Sequence, residues 1–158
     1  MDRFKTKHGL VNMLICLLIV VTVALMFMPS IHYAPGTEKE GTTSVFSFVF
    51  LLAERSFKPM VKWLEEIEPG YTPNQIFSEP MLILVFGIVS IALCISVYKG
   101  WFSSVFPCLW GAVVIKGCTS NILFLQSSMC KVYFGLGVAV ILLAALAFIF
   151  NTAFKPQE

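Results

Sequence analysis

GLVNMLICLLIVVTVALMFM, residues 9–28, is a run of 20 residues without a single Asp, Glu, Lys or Arg. As a helix such a run rises about 30 Å, the thickness of a bilayer's hydrocarbon core. At roughly −0.3 to −0.6 kcal/mol for each central Leu, Ile, Phe or Val it inserts without help. Three further uncharged runs follow: MLILVFGIVSIALCISVY (81–98), WFSSVFPCLWGAVVI (101–115) and VYFGLGVAVILLAALAFIF (132–150). Together they predict an all-α membrane protein, a four-transmembrane-helix bundle. Its spans fall near 9–28, 81–98, 101–117 and 132–152, with a structured extracytoplasmic loop, residues 29–80, between the first two.

Composition agrees. The 158 residues are 58% hydrophobic and 13% charged, with 15 Phe, against roughly 25% charged residues in an average soluble domain. What lies outside the spans is too little for a second core, so residues 1–158 read as one polytopic domain. A net charge of +2 on scattered basic residues gives no nucleic-acid footprint. The lipid bilayer is the partner that the composition implies, with another membrane protein or a second copy beside it.

Arg3, Lys5 and Lys7 precede the first run as the basic segment of a signal peptide would. The apolar stretch nevertheless exceeds the roughly 7–15 residues of a signal peptide, and residues 28–35 hold no small-x-small cleavage site. It reads as a retained signal anchor. The same three charges orient the chain, because Lys and Arg concentrate on the cytoplasmic side. Loop 29–80 instead spreads Lys39, Arg55, Lys58 and Lys62 over about fifty positions. The expected location is the cell membrane, multi-pass, with both termini cytoplasmic. Lys116 and Lys131 then fall on the outer side, against the trend.

The third span is the shortest. Residues 101–115 rise about 22 Å, so the expected helix ends near residue 117, where Lys116 snorkels to the interface. A helix reaching Leu125 would carry that amine towards mid-depth, at roughly 2.5–3.5 kcal/mol. Lys116 is accordingly the residue to watch for function. Pro107 within the span predicts a kink, since proline removes a backbone hydrogen bond. Gly135 and Ala139 in span four form a small-xxx-small pair that allows close helix approach, and Gly87 in span two is similar.

Loop 29–80 begins with turn-rich, charged sequence. SVFSFVFLLA (44–53) follows, too short to span and open to reading as a strand, an interfacial helix or a re-entrant piece. Residues 54–68 place Phe57, Val61, Leu64 and Glu68 at helical spacing with charge elsewhere, the pattern of an amphipathic helix interrupted at Pro59. There Trp63 suits the headgroup zone. A large loop after the first of four spans, short later connections and both termini inside resemble the claudin-type layout, in topology alone. The claudin signature, a Trp followed by Gly-Leu-Trp and two spaced cysteines, is missing: this loop has Trp63 and no cysteine. The family is therefore not assigned, and no junctional role is implied.

Five cysteines raise the question of redox chemistry. Cys16, Cys94 and Cys108 lie in spans, where a thiol acts as a small apolar group. Cys118 and Cys130 bracket the second external connection and can close a disulfide if that side is oxidising and the span ends approach within about 7 Å. No Cys-x-x-Cys is present, which argues against thiol oxidoreduction. His8 and His32 lack metal-ligand spacing, and Glu65, Glu66 and Glu68 read as a solvated face. Neither phosphate-binding glycine loops nor Gly-x-Ser-x-Gly elbows occur. The expectation is no catalytic, cofactor-binding or metal residue, and a non-catalytic accessory or assembly subunit of a membrane complex. A self-associating small channel or carrier is the alternative, for which hydroxyl-bearing helix faces would line the pore.

Overall fold

The computed structural model describes residues 7–33, 35, 38, 40–46, 62–63, 65–67, 73–99, 104–120 and 122–153. It is mostly helical, with a small two-stranded sheet. In chain order the elements are α1 (Lys7–Leu25), β1 (Pro29–Tyr33), β2 (Gly41–Ser44), α2 (Pro73–Lys99), α3 (Val105–Ser120), α4 (Ile122–Gln126) and α5 (Cys130–Ala153). Among the described residues one apolar segment, Cys130–Phe150, is long and apolar enough to cross a membrane, and only 28% of its most apolar window is buried inside the protein. Gly9–Leu25, Val85–Lys99 and Val105–Ser120 are shorter apolar helices. Helix predominates, as expected of an all-α chain, and the loop expected over 29–80 holds the hairpin β1–β2, whose strands pair antiparallel.

Each long helix buries one stripe and leaves the opposite face apolar. On α1 the buried positions are Val11, Ile15, Ile19 and Thr22; on α5 they are Tyr133, Val140, Ala144 and Ala147. Steps of three, four and seven keep a residue on one side of a helix with 3.6 residues per turn. Outward stand Leu17 and Val20 on α1, Ile88 and Ile91 on α2, Leu109 and Val113 on α3, and Leu142 and Ile149 on α5, each at least half exposed. α5 is the hub: it packs most extensively on α3 and then on α1, which in turn packs on α2. α2 and α3 touch more lightly.

The helix ends follow from local chemistry. α1 stops short of Pro29, because the residue before a proline is disfavoured in helical conformation, and its last turn tightens with Phe27 N–H bonding the Ala24 carbonyl at 3.1 Å. α2 starts at Pro73, eight residues earlier than the expected span, a favourable first-turn residue since its missing N–H would have no helical partner. α3 runs past the expected end at residue 117 to Ser120. The Thr119 and Ser120 hydroxyls donate to the Lys116 carbonyl at 3.0 and 2.7 Å, satisfying an acceptor of the last turn. Pro107 falls in the first turn of α3, so it breaks no helical hydrogen bond. The expected kink is replaced by a helix start.

The hairpin and α4 occupy the same end of the bundle. Ile31 pairs with Thr43 across β1–β2, and it also bridges to Ser127 just beyond α4. Phe46 N–H donates to the Met26 carbonyl at 3.2 Å, returning the chain after β2 to the end of α1. Phe27 and Phe46 stack with centroids 4.5 Å apart. Gly41 lies against the ring of its strand partner Tyr33, and any Cβ there would overlap the ring. Of the expected segments 44–53 and 54–68, residues 47–61, 64 and 68 lie outside the described residues; Lys62, Trp63 and residues 65–67 are helical.

Candidate functional site

The buried polar chemistry of this chain gathers where β1, α4 and α5 meet. Ser127 sits just before α5; its Oγ accepts from Met129 N–H at 3.2 Å, as an N-terminal capping hydroxyl does, and donates to Ser30 Oγ at 2.9 Å. Ser128 N–H donates to the Ser30 carbonyl at 2.8 Å. Tyr133, fully buried one turn into α5, donates its hydroxyl to the Leu25 carbonyl at 3.0 Å. Phe124 of α4 meets the Tyr133 ring edge-on at 5.6 Å. The result is one connected set of hydroxyls and carbonyls that joins the end of α1, the first strand, α4 and α5. Inside a low-dielectric interior such a set holds firmly only when each member is satisfied.

A second polar tie lies deeper, between α2 and α3. Trp110 donates its indole N–H to Ser90 Oγ at 2.7 Å, and Ser90 donates onward to the Phe86 carbonyl at 2.6 Å. Phe86 stacks on Trp110 at 5.5 Å. Replacing Ser90 with Ala leaves the buried indole N–H without an acceptor, at about 1–3 kcal/mol. The expected result is a lower unfolding midpoint in detergent for Ser90→Ala; Trp110→Phe, which removes the orphaned donor as well, falls less far when added to Ser90→Ala than when made alone. Equal effects in both backgrounds would show that the bond contributes nothing.

Thiols pair twice. Cys16 of α1 and Cys94 of α2 each direct their Sγ to the other's carbonyl, at 3.4 and 3.8 Å. Cys118 of α3 is buried, and Cys130, the first residue of α5, donates its thiol to the Cys118 carbonyl at 3.5 Å. All five cysteines are free thiols in this structure. The pair bracketing the second connection is therefore brought together, which spacing alone left open.

The other residues singled out from sequence are dispersed. Among the described residues nothing lies within 4 Å of a Cβ added at Gly135, so it seats none of the described helices, and Ala139 is half-buried. The close approach falls instead at Gly111 of α3 and Gly137 of α5. A Cβ on Gly111 would stand 2.6 Å from the Gly137 carbonyl oxygen, and one on Gly137 3.0 Å from that of Gly111. Gly87 makes room for a different neighbour, the Phe46 ring, 2.6 Å from a Cβ built there. Lys116 is exposed on α3, and Trp63 is buried, at 9% exposure, rather than displayed at a headgroup surface. Sequence reasoning missed Ser30, Ser127, Tyr133 and Trp110; their one signal was a hydroxyl or indole N–H within or beside an apolar run, where it must find a partner.

Two hollows border α3. One of about 100 Å³ lies between α2, α3 and α4, lined by Leu82, Phe86, Val113 and Phe124. The other, about 370 Å³, is an open groove between α3 and α5 with Cys108, Leu109, Ala144 and Phe148 along it. Both are lined almost wholly by apolar atoms, suited to hydrocarbon and not to a charged substrate. Among the described residues no three His, Cys, Asp or Glu come together as metal ligands would. No protein-family model, curated protein or solved structure matches this chain.

Proposed function

We propose that the chain is a four-span integral membrane protein, with both termini cytoplasmic, that acts as a non-catalytic accessory or assembly subunit of a membrane complex. Three features support the topology. The outward faces of all four long helices are apolar, which in water would expose a continuous hydrophobic surface of the kind soluble monomers avoid. The connections after α1 and after α3 meet at one end of the bundle, as successive crossings require. Basic residues at 3, 5 and 7 then mark the opposite, cytoplasmic end. α3, at 16 residues and about 24 Å, matches the core by local thinning of the bilayer.

One observation carries the non-catalytic reading: the buried hydroxyls are engaged in holding elements together. Ser90 joins α2 to α3, and Ser30 with Ser127 joins the hairpin to α5, while Thr22 is satisfied within its own helix by the Leu18 carbonyl at 2.7 Å. A carrier that moves an ion or polar solute needs polar groups turned to a pathway; these are turned to each other. Such a scaffold presents wide apolar helix faces to lipid and to neighbouring subunits, and a hairpin cap to the outer side.

The test is extraction of the tagged protein from native membranes in mild detergent, followed by the mass and composition of the particle. A different membrane protein present at a constant molar ratio is the expected result. A homogeneous homo-oligomer and nothing else would overturn the accessory role in favour of a self-associating channel, to be followed by conductance in planar bilayers.

A further inference from the structure

We propose that Cys118 and Cys130 form a disulfide on the outer side of the membrane, and that this bond latches the second connection onto the first. The inference rests on the topology proposed above for which side these residues face; the geometry is independent of it. Cys118 lies in the last turn of α3 and Cys130 opens α5, with the Cys130 thiol 3.5 Å from the Cys118 carbonyl oxygen. A thiol this close to the backbone of the other cysteine, on the ends of two packed helices, puts the pair within reach of a disulfide.

The segment they enclose is α4 followed by Ser127 and Ser128, the residues that hold β1: Ser127 Oγ donates to Ser30 Oγ, Ser128 N–H donates to the Ser30 carbonyl, and Ser127 pairs with Ile31. A bond from Cys118 to Cys130 closes this connection into a ring and holds those donors in place against the hairpin. Reduction opens the ring and leaves the attachment to the hydrogen bonds alone.

Exposure sets the order of events. Cys130 is half-buried and Cys118 is buried, so the first step belongs to Cys130. Its thiolate attacks one sulfur of an external organic disulfide, forming a mixed disulfide and releasing one thiolate. Cys118 then attacks the Cys130 sulfur and expels the external thiol. The protein gives up two protons and two electrons, and the external disulfide becomes two thiols. Cys16 of α1 and Cys94 of α2 lie in reciprocal contact within the apolar runs, which the proposed topology places in the membrane, away from such an oxidant, and they serve as the internal control.

Trypsin cleavage after Lys116 and Lys131 releases residues 117–131 as a single peptide carrying both cysteines and no other. Full-length protein in its membranes is denatured in the presence of N-ethylmaleimide, digested and weighed, with and without prior reduction. The expected result is a 117–131 peptide that lacks maleimide and is two hydrogens lighter than the dithiol, and that takes two maleimides after reduction. Cys16 and Cys94 take maleimide without reduction. Two maleimides on 117–131 before reduction overturn the bond.

A parallel sample of sealed cells, treated with a membrane-impermeant amine reagent, reports the side of the exposed Lys131. Labelling from outside together with an alkylated pair sinks the disulfide and keeps the topology. A bonded peptide whose Lys131 labels only after permeabilisation keeps the bond and overturns the topology. Hydrogen exchange at the Ser128 amide is expected to quicken on reduction; an unchanged rate would refute the latch.

Discussion

Replacing Gly111 with Leu is expected to unseat α3 from α5 and lower the unfolding midpoint of the detergent-solubilised protein sharply. The Cβ alone would stand 2.6 Å from the Gly137 carbonyl oxygen and 2.8 Å from Ile141 Cγ1. The first of these atoms is backbone and can move only if the helix moves. Overpacking in a filled interior costs about 1–3 kcal/mol and occasionally more, and a leucine at a backbone-to-backbone contact belongs at the upper end. The α3–α5 contact is the most extensive in the bundle, so its loss spreads. Gly135→Leu is the control, because among the described residues nothing lies within 4 Å of a Cβ at that position. Equal destabilisation by the two substitutions would show that the glycine seat is misplaced. Circular dichroism melts, or titration of mixed micelles with a denaturing detergent, measures both.

Tyr133→Ala is the second large effect. Tyr133 is fully buried, its ring meets Phe124 edge-on, and its hydroxyl reaches the Leu25 carbonyl across from α5 to the end of α1. Truncating an aromatic of this size leaves a cavity and costs about 3–5 kcal/mol. Tyr133→Phe keeps the ring and removes only the hydroxyl, leaving the Leu25 carbonyl one partner short, at about 1–3 kcal/mol. The order expected is therefore wild type, then Phe, then Ala, in falling midpoint. Protection of the Ser128 amide, which bonds the Ser30 carbonyl, should fall in the same order. If Phe were as stable as Tyr, the hydroxyl set would be decoration on an aromatic core.

The two cases differ in what made them hard to read from the chain. Gly135 with Ala139 has the spacing of a packing motif and Gly137 has none so obvious, yet Gly137 carries the contact. Two residues along a helix is about 200° of rotation, so the inward side is decided by the phase of the helix against its neighbour. In a water-soluble helix the polar face reveals that phase. Here Val140 and Leu142, or Ile15 and Leu17, differ in burial and hardly at all in polarity. Pro107 misled for another reason: the apolar run begins at residue 101, but the helix begins at Val105, and a proline counted from the run lands mid-span while one counted from the helix lands in its first turn. The hydroxyl set was hidden because Ser30, Ser127 and Tyr133 are about a hundred positions apart or lie in loops, where no periodicity brings them together.

By itself the sequence determined the apolar helices. Hydropathy summed over a window is a local property, and four uncharged runs carry it without reference to any fold. It determined as well that the loop after the first run differs from the later short connections, through its turn residues and charges. Only the tertiary structure decided which face of each helix turns inward, that Gly111 and Gly137 are the seat, that Cys118 and Cys130 meet, and that a two-stranded hairpin is tied to α5 through Ser30, Ser127 and Tyr133. Those outcomes depend on shape and on hydrogen bonds between distant residues. When inner and outer surfaces are equally apolar, hydropathy cannot distinguish them, and close packing with satisfied polar groups selects the arrangement.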